Sequence, residues 1–164
     1  MGVTEPRARE REALSEAILD EASELIVKEG TESLSIRKIA EKIEYAPSTI
    51  YLYFEDKYAI LAGICIRFFE DLLEELNEIR DNSPALPEAL RAGLRCYVDF
   101  GLANPTRYQV TFLTAPDLSP EHPICVAIPQ AGFTTLGSLG EAIGAAMRAG
   151  VVEPGDPELK AFTA

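Results

Sequence analysis

The sequence predicts an all-α protein, and three observations carry that prediction. Apolar residues recur at three- and four-residue spacing along most of the 164 residues. No stretch alternates apolar and polar residues in the manner of a strand. Proline, glycine and asparagine fall between the periodic segments, where helices start and stop.

The elements follow in order. Leu14, Ala17, Ile18, Glu21, Ala22, Leu25 and Ile26 form one helical stripe, with Pro6 near its start and Gly30 at its end. Ser35 suits the N-cap of a short second helix with Ile36, Ile39, Ala40 and Ile43 facing inward. Pro47 opens a third helix reaching about Phe54, with Ile50 and Phe54 inward. Asp56 caps a long fourth helix to about Asp81. Its inward face carries Ile60, Leu61, Ile64, Phe68, Leu72 and Leu76, and its outward face Glu70, Asp71, Glu74, Glu75 and Glu78. After Asn82-Ser83-Pro84, a fifth helix spans about Leu86 to Ala103, with Leu90, Leu94, Tyr97 and Val98 on one side. Asn104-Pro105 introduces a sixth helix to about Leu113. The prolines between Pro116 and Pro129 mark a loop. A seventh helix then runs to Ala149, its stripe being Phe133, Leu136, Gly140, Ile143 and Met147. Gly132, Gly137, Gly140 and Gly144 weaken that helix unless another helix packs very close. Asp156 is placed to begin an eighth.

Composition narrows the function. The apolar share of 47% and charged share of 26% are ordinary for a globular domain, whereas the net charge of −12 is not. The longest apolar run, Ala59 to Ile66, is far short of the roughly 20 residues of a membrane span. Met1 to Arg11 lacks the apolar core of a signal peptide. Cys65, Cys96 and Cys125 form no CxxC pair, so they read as reduced thiols of a cytoplasmic protein. His122, the one histidine, reads as a solvated loop residue. No metal site, catalytic relay or cofactor is implied, and an enzyme is not expected.

The second and third helices, joined by a tight turn, have helix-turn-helix spacing. Ser48, Thr49, Leu52 and Tyr53 face away from Ile50 and Phe54, with Tyr51 at the margin. Hydroxyls and aromatic edges of this kind suit phosphate oxygens and base edges. The run Leu34-Ser35-Ile36-Arg37-Lys38-Ile39-Ala40-Glu41-Lys42-Ile43, then Pro47-Ser48-Thr49-Ile50-Tyr51-Leu52-Tyr53-Phe54 and Asp56-Lys57, resembles the TetR/AcrR family of bacterial transcription regulators. The resemblance covers about Arg9 to Leu61. Asn104-Pro105, Tyr108 and Phe112 are similar to a segment of the ligand-binding domains of many members.

The resemblance implies a helix-turn-helix DNA-binding domain over residues 1–55 and a helical ligand-binding and dimerisation domain over 56–164. It implies double-stranded operator DNA, a small-molecule effector and a second copy of the chain as partners. Ser35, Arg37, Ser48, Thr49, Tyr51, Tyr53 and Lys57 would meet DNA. Phe68, Phe69, Leu72, Tyr97, Phe100, Tyr108, Phe112 and Phe133 would line a mostly apolar ligand pocket, with Asn104, Arg95, Asp99 and Arg107 as polar candidates. The implied function is a repressor released from its operator by a small, mostly apolar ligand. The alternative is a helical binding module that no longer reads DNA. Two departures bear on it: Glu44 stands where the family's turn has glycine, and Ala46 where serine commonly caps the third helix. Family members commonly continue further, through two helices that pair subunits. Either the sequence is incomplete, which is the expectation, or the seventh helix serves that role.

The −12 does not exclude DNA. From Ser35 to Ile60, Arg37, Lys38, Lys42 and Lys57 balance Glu41, Glu44, Glu55 and Asp56. The expected reading segment is neutral within an acidic body, which favours a few placed contacts over bulk attraction.

Overall fold

The computed structural model describes residues 4–83, 85–113 and 123–157. Among these run seven α-helices: α1 (Thr4–Glu29), α2 (Ile36–Lys42), α3 (Pro47–Ile50), α4 (Lys57–Asn82), α5 (Leu86–Ala103), α6 (Pro105–Leu113) and α7 (Ile124–Arg148). A short 3-10 turn, Thr31–Ser33, follows α1. The all-α class read from the periodicity is the one adopted. No described helix is long and apolar enough to cross a membrane.

The boundaries have local causes. Gly30 ends α1 at φ 85°, its amide still bonded to the Ile26 carbonyl at 2.8 Å. Ser35 caps α2 as expected, its hydroxyl accepting from the Lys38 amide at 3.2 Å. Asp56 caps α4 by accepting from the amides of Tyr58 and Ala59 at 2.9 and 2.8 Å. Asn104 closes α5, its side-chain amide donating to the Phe100 carbonyl at 3.0 Å.

Three expectations need correction. The third helix is α-helical only to Ile50; from Tyr51 to Phe54 it continues as turns, still bonded back to Pro47, Thr49 and Ile50. The seventh begins earlier than expected, at Ile124, and takes Pro129 inside it, although proline there has no amide to donate to the carbonyl four residues back. The inward stripes of α5 and α7 are rotated from the expected ones. Val98 is 54% exposed and Phe133 64%, while Leu90, Gly93, Cys96 and Phe100 of α5 and Gly132, Thr135, Leu139 and Ile143 of α7 turn inward. Both misplaced residues are apolar at helical spacing, which fixes the period of a helix but not the angle of its buried face. The candidate eighth helix and His122 lie largely outside the described residues; Pro157 is helical.

Packing divides the chain into two compact units. One comprises Met1–Cys65 with Thr106–Ile124, the other Ile66–Pro105 with Cys125–Ala164. The first therefore joins α1, α2, α3, the opening turns of α4 and nearly all of α6. Ile18, Ile39, Ile50, Ile60, Ile64 and Val110 are its largest fully buried apolar side chains. Ser23 is buried there too, its hydroxyl satisfied by the Leu19 carbonyl at 2.7 Å.

The second unit packs α5, α7 and the rest of α4. The ring of Phe68 meets Phe69 and Phe100 edge-on, at centroid distances of 5.8 and 5.1 Å. Leu90, Leu139, Ile143 and Ala146 form a second cluster. The expected close approach at the α7 glycines is found at Gly132, where a Cβ would lie 3.1 Å from Cζ of Phe69. It is not found at Gly137, where a Cβ would meet nothing within 4 Å.

Candidate nucleic-acid interface

The helix-turn-helix is built from α2, a four-residue turn and α3. The turn is a Schellman closure: the Tyr45 amide donates to the Ala40 carbonyl at 2.8 Å, and the Glu44 amide to Glu41 at 3.4 Å. This geometry requires a left-handed residue after α2. Glu44 supplies it at φ 60°, the single positive φ of a non-glycine among the described residues. The turn thus keeps a left-handed residue without glycine and carries strain at Glu44. Ala46 offers no side-chain cap to α3, as expected.

Ile36, Ile39, Ala40 and Ile50 are buried and bind the two helices to their supports. Phe54 is anchored through Gly63 of α4: a Cβ on Gly63 would stand 3.0 Å from both Phe54 Cε1 and Leu19 Cδ2. The glycine lets the ring that ends the reading segment lie against the α4 backbone. An isolated glycine inside the apolar stretch of α4 was the available signal for this contact.

The seven candidate DNA residues are placed as follows. Arg37 and Ser48 are exposed, Thr49 is half-buried, and Tyr51 is 57% exposed. Tyr53 is half-buried, with the Arg11 guanidinium 5.6 Å from its ring centroid. Lys57 opens α4, its ammonium 5.2 Å from the centroid of Tyr58. Ser35 is occupied as a helix cap. Lys38 is engaged elsewhere, paired at 2.9 Å with Glu29, whose carboxyl it holds below the usual range. Arg11 went unnoticed in the sequence, although Arg7 and Arg11 stand one turn apart on one face.

The candidate ligand-pocket residues divide between the units. Phe68, Phe69, Leu72 and Phe100 are buried in the second unit, and Tyr97 is half-buried there. Tyr108 and Phe112 belong to the first unit, their rings 4.7 Å apart on α6. Of the eight, Phe133 alone lines a groove of about 910 Å³ in the second unit, together with Leu76, Leu90, Gly93, Leu136 and Ala142. Arg80 and Arg148 stand on the same groove. Among the polar candidates, Arg107 binds Glu16 and Asp20 of α1, and Arg95 pairs with Asp99 at 3.3 Å in the open.

Comparison with known proteins agrees with the helix-turn-helix geometry. Residues 18–64 match the model of the bacterial regulatory proteins of the tetR family. An HTH-type transcriptional regulator of Bacillus subtilis (strain 168), YobS, is 27% identical over 104 residues, 61% of this chain and 52% of that protein. One from Haemophilus influenzae is 31% identical over 93 residues, 57% of this chain and 50% of that protein. The chain thus spans about half the length of these curated relatives. A tetR-family regulatory protein from Rhodococcus RHA1 superposes with TM-score 0.76 at 24% identity, over 91% of this chain and 77% of that one. FadR of Bacillus subtilis, solved with stearoyl-CoA, gives TM-score 0.77 at 22% identity, over 90% and 78%. The segment matched by the family model holds the helix-turn-helix, and the helical fold around it is the one shared with these solved regulators.

Proposed function

We propose that the chain is a DNA-binding transcriptional regulator, acting in the cytoplasm as a homodimer and as a repressor. The observation that carries this reading is the exposed edge of the helix-turn-helix. Arg37, Ser48 and Tyr51 are exposed on it and Tyr53 and Lys57 half-buried, while Ile36, Ile39 and Ile50 hold the scaffold from beneath. Ser48, Thr49, Tyr51 and Tyr53 would read or flank base edges, and Ser35, Arg37 and Lys57 would hold phosphates. The functional division we infer, residues 1–55 for DNA and 56–164 for ligand and dimerisation, differs from the packing units because α6 falls in the first unit, where Arg107 ties it to α1.

The groove of the second unit supports an apolar effector. Its volume lies within the range of small-molecule sites. FadR of Bacillus subtilis was solved with stearoyl-CoA, and that likeness makes a long-chain amphiphile the first class to try. Release would be a population shift: a ligand binding better to a dimer whose reading helices are not about 34 Å apart draws the protein off DNA. No chemistry on the ligand is involved, so the chain is not an enzyme in this reading.

A mobility-shift titration against the DNA upstream of its own gene tests it. Selective binding is expected, with loss of at least tenfold in Tyr53→Ala or Lys57→Ala. Equal affinity for upstream and scrambled duplexes would refute it. Light scattering tests the dimer.

A further inference from the structure

The amino-terminal turns of α1 carry three arginines, Arg7, Arg9 and Arg11, all exposed. None forms an ion pair with a described residue. One of them has a defined position: the Arg11 guanidinium lies over the ring of Tyr53, 5.6 Å from its centroid. Tyr53 belongs to the exposed edge that follows α3. The cation–π contact therefore brings one face of α1 to the rim of the reading surface. Residues four apart share a helix face, so Arg7 stands on that face too, about 6 Å further toward the amino end. Arg9 is two residues from each and points to another face.

We propose that Arg7 and Arg11 form a phosphate clamp beside the helix-turn-helix, extending the DNA interface from the reading helices onto α1. The inference rests on the DNA-binding reading given above. The charge inventory favours it. Within the reading segment Lys38 is spent on Glu29, which leaves Arg37, Lys42 and Lys57 among its basic side chains. A chain of net charge −12 has no diffuse attraction to draw on, so added cations at the rim weigh heavily. Arginine also matches phosphate oxygens with a planar fork. The Tyr53 ring restrains Arg11 before DNA arrives, which lowers the entropy lost on contact. Glu10 and Glu12 lie on the same turns, so the clamp works through the position of its two arginines rather than through local net charge.

The test is a salt titration of affinity, with the full chain, on upstream DNA and on a scrambled duplex of equal length. Each phosphate contact contributes about 0.9 to the slope of log K against log salt. The Arg7→Ala/Arg11→Ala double variant should lose about 1.8 from the wild-type slope, and roughly tenfold in affinity per arginine at 0.1 M salt. The preference for upstream over scrambled DNA should stay unchanged, because phosphate contacts carry no sequence information. Arg9→Ala should behave as wild type, and Arg7→Lys/Arg11→Lys should keep the slope. An unaltered thermal melt shows that the double alanine variant is folded. If wild type binds upstream DNA selectively and the double variant keeps its slope, the clamp is refuted and the regulator reading survives. An equal effect from Arg9→Ala also refutes it. If wild type shows no selective binding, both readings fall.

Discussion

Arg107 of α6 forks onto two carboxylates of α1: its Nη2 donates to Glu16 Oε2 at 2.6 Å and to Asp20 Oδ1 at 2.8 Å. Its Nε reaches the same Asp20 oxygen at 3.1 Å. The arginine side chain is 13% exposed. Burial works against its charge, but the hydrogen bonds and charges of Glu16 and Asp20 outweigh that and hold the guanidinium above its ordinary pKa. This contact spans nearly the whole sequence separation within the first unit. It pins a helix that follows α5 to the helix that precedes the reading segment.

Removing that fork should loosen α6. Arg107→Ala leaves two carboxylates facing each other without a cation, at a cost of about 2 kcal/mol. The figure is held to the lower part of the range for charged hydrogen bonds because Asp20 is largely solvated. Arg107→Lys should recover only part, since an ammonium cannot fork across both acids. Urea midpoints at constant slope measure both, and an unchanged midpoint in the alanine variant would refute the role.

Glu44 makes the opposite prediction. At φ 60° its backbone is strained and its side chain is exposed, with no bond among the described residues. Glu44→Gly should stabilise the chain by about 1 kcal/mol, because glycine adopts the left-handed region freely and the Schellman bonds need no side chain. It also removes a carboxylate from the turn between the reading helices, so DNA affinity should rise at low salt. A lower melting temperature in the glycine variant would show that Glu44 has a partner worth more than its strain.

Two glycines in helices should respond in opposite directions. Gly63→Val forces atoms into the rings and methyls that already stand 3.0 Å from a Cβ, at a cost of about 2–3 kcal/mol. Because Phe54 is among the displaced groups, DNA affinity should fall in the same variant. Gly137→Ala meets nothing within 4 Å and should gain up to about 1 kcal/mol from helix propensity alone. Equal effects from the two substitutions would contradict the packing described at α4.

Much of this was legible in the residues, for identifiable reasons. The N-caps at Ser35 and Asp56 and the breaks at Gly30 and Asn104 are local, so sequence reading located them. The left-handed turn at Glu44 was signalled only by the resemblance, which puts glycine at that position. The rotated faces of α5 and α7 were not, because Val98 and Phe133 are as apolar as the residues that displaced them. Nor was the engagement of Arg107. Nothing local in Asn104-Pro105-Thr106-Arg107 announces carboxylates some ninety positions earlier. Lys38 shows the same limit: a cation counted in the charge balance of the reading segment is held by Glu29, the residue before Gly30.

The thiols give a pH prediction with a definite sign. Burial pushes Cys65 up from 9.0 to about 11. Burial, then the Glu75 carboxylate 3.4 Å from its sulfur, pushes Cys96 to about 11 as well. The native chain therefore keeps protons that the unfolded chain releases above pH 9. The thiols favour the fold fully below pH 9, and that contribution is lost as pH rises through about 11. Cys125 is only half-buried. At pH 8 a disulfide-exchange reagent should label Cys125 rapidly in the native chain, leave Cys65 and Cys96 slow, and label all three at once in denaturant. Between pH 9 and 11 the urea midpoint should fall, and it should fall less in Cys65→Ala. Rapid labelling of all three thiols in the native chain would mean that the α4 face carrying Cys65 is open to solvent, contrary to its burial beside Ile64 and Phe68.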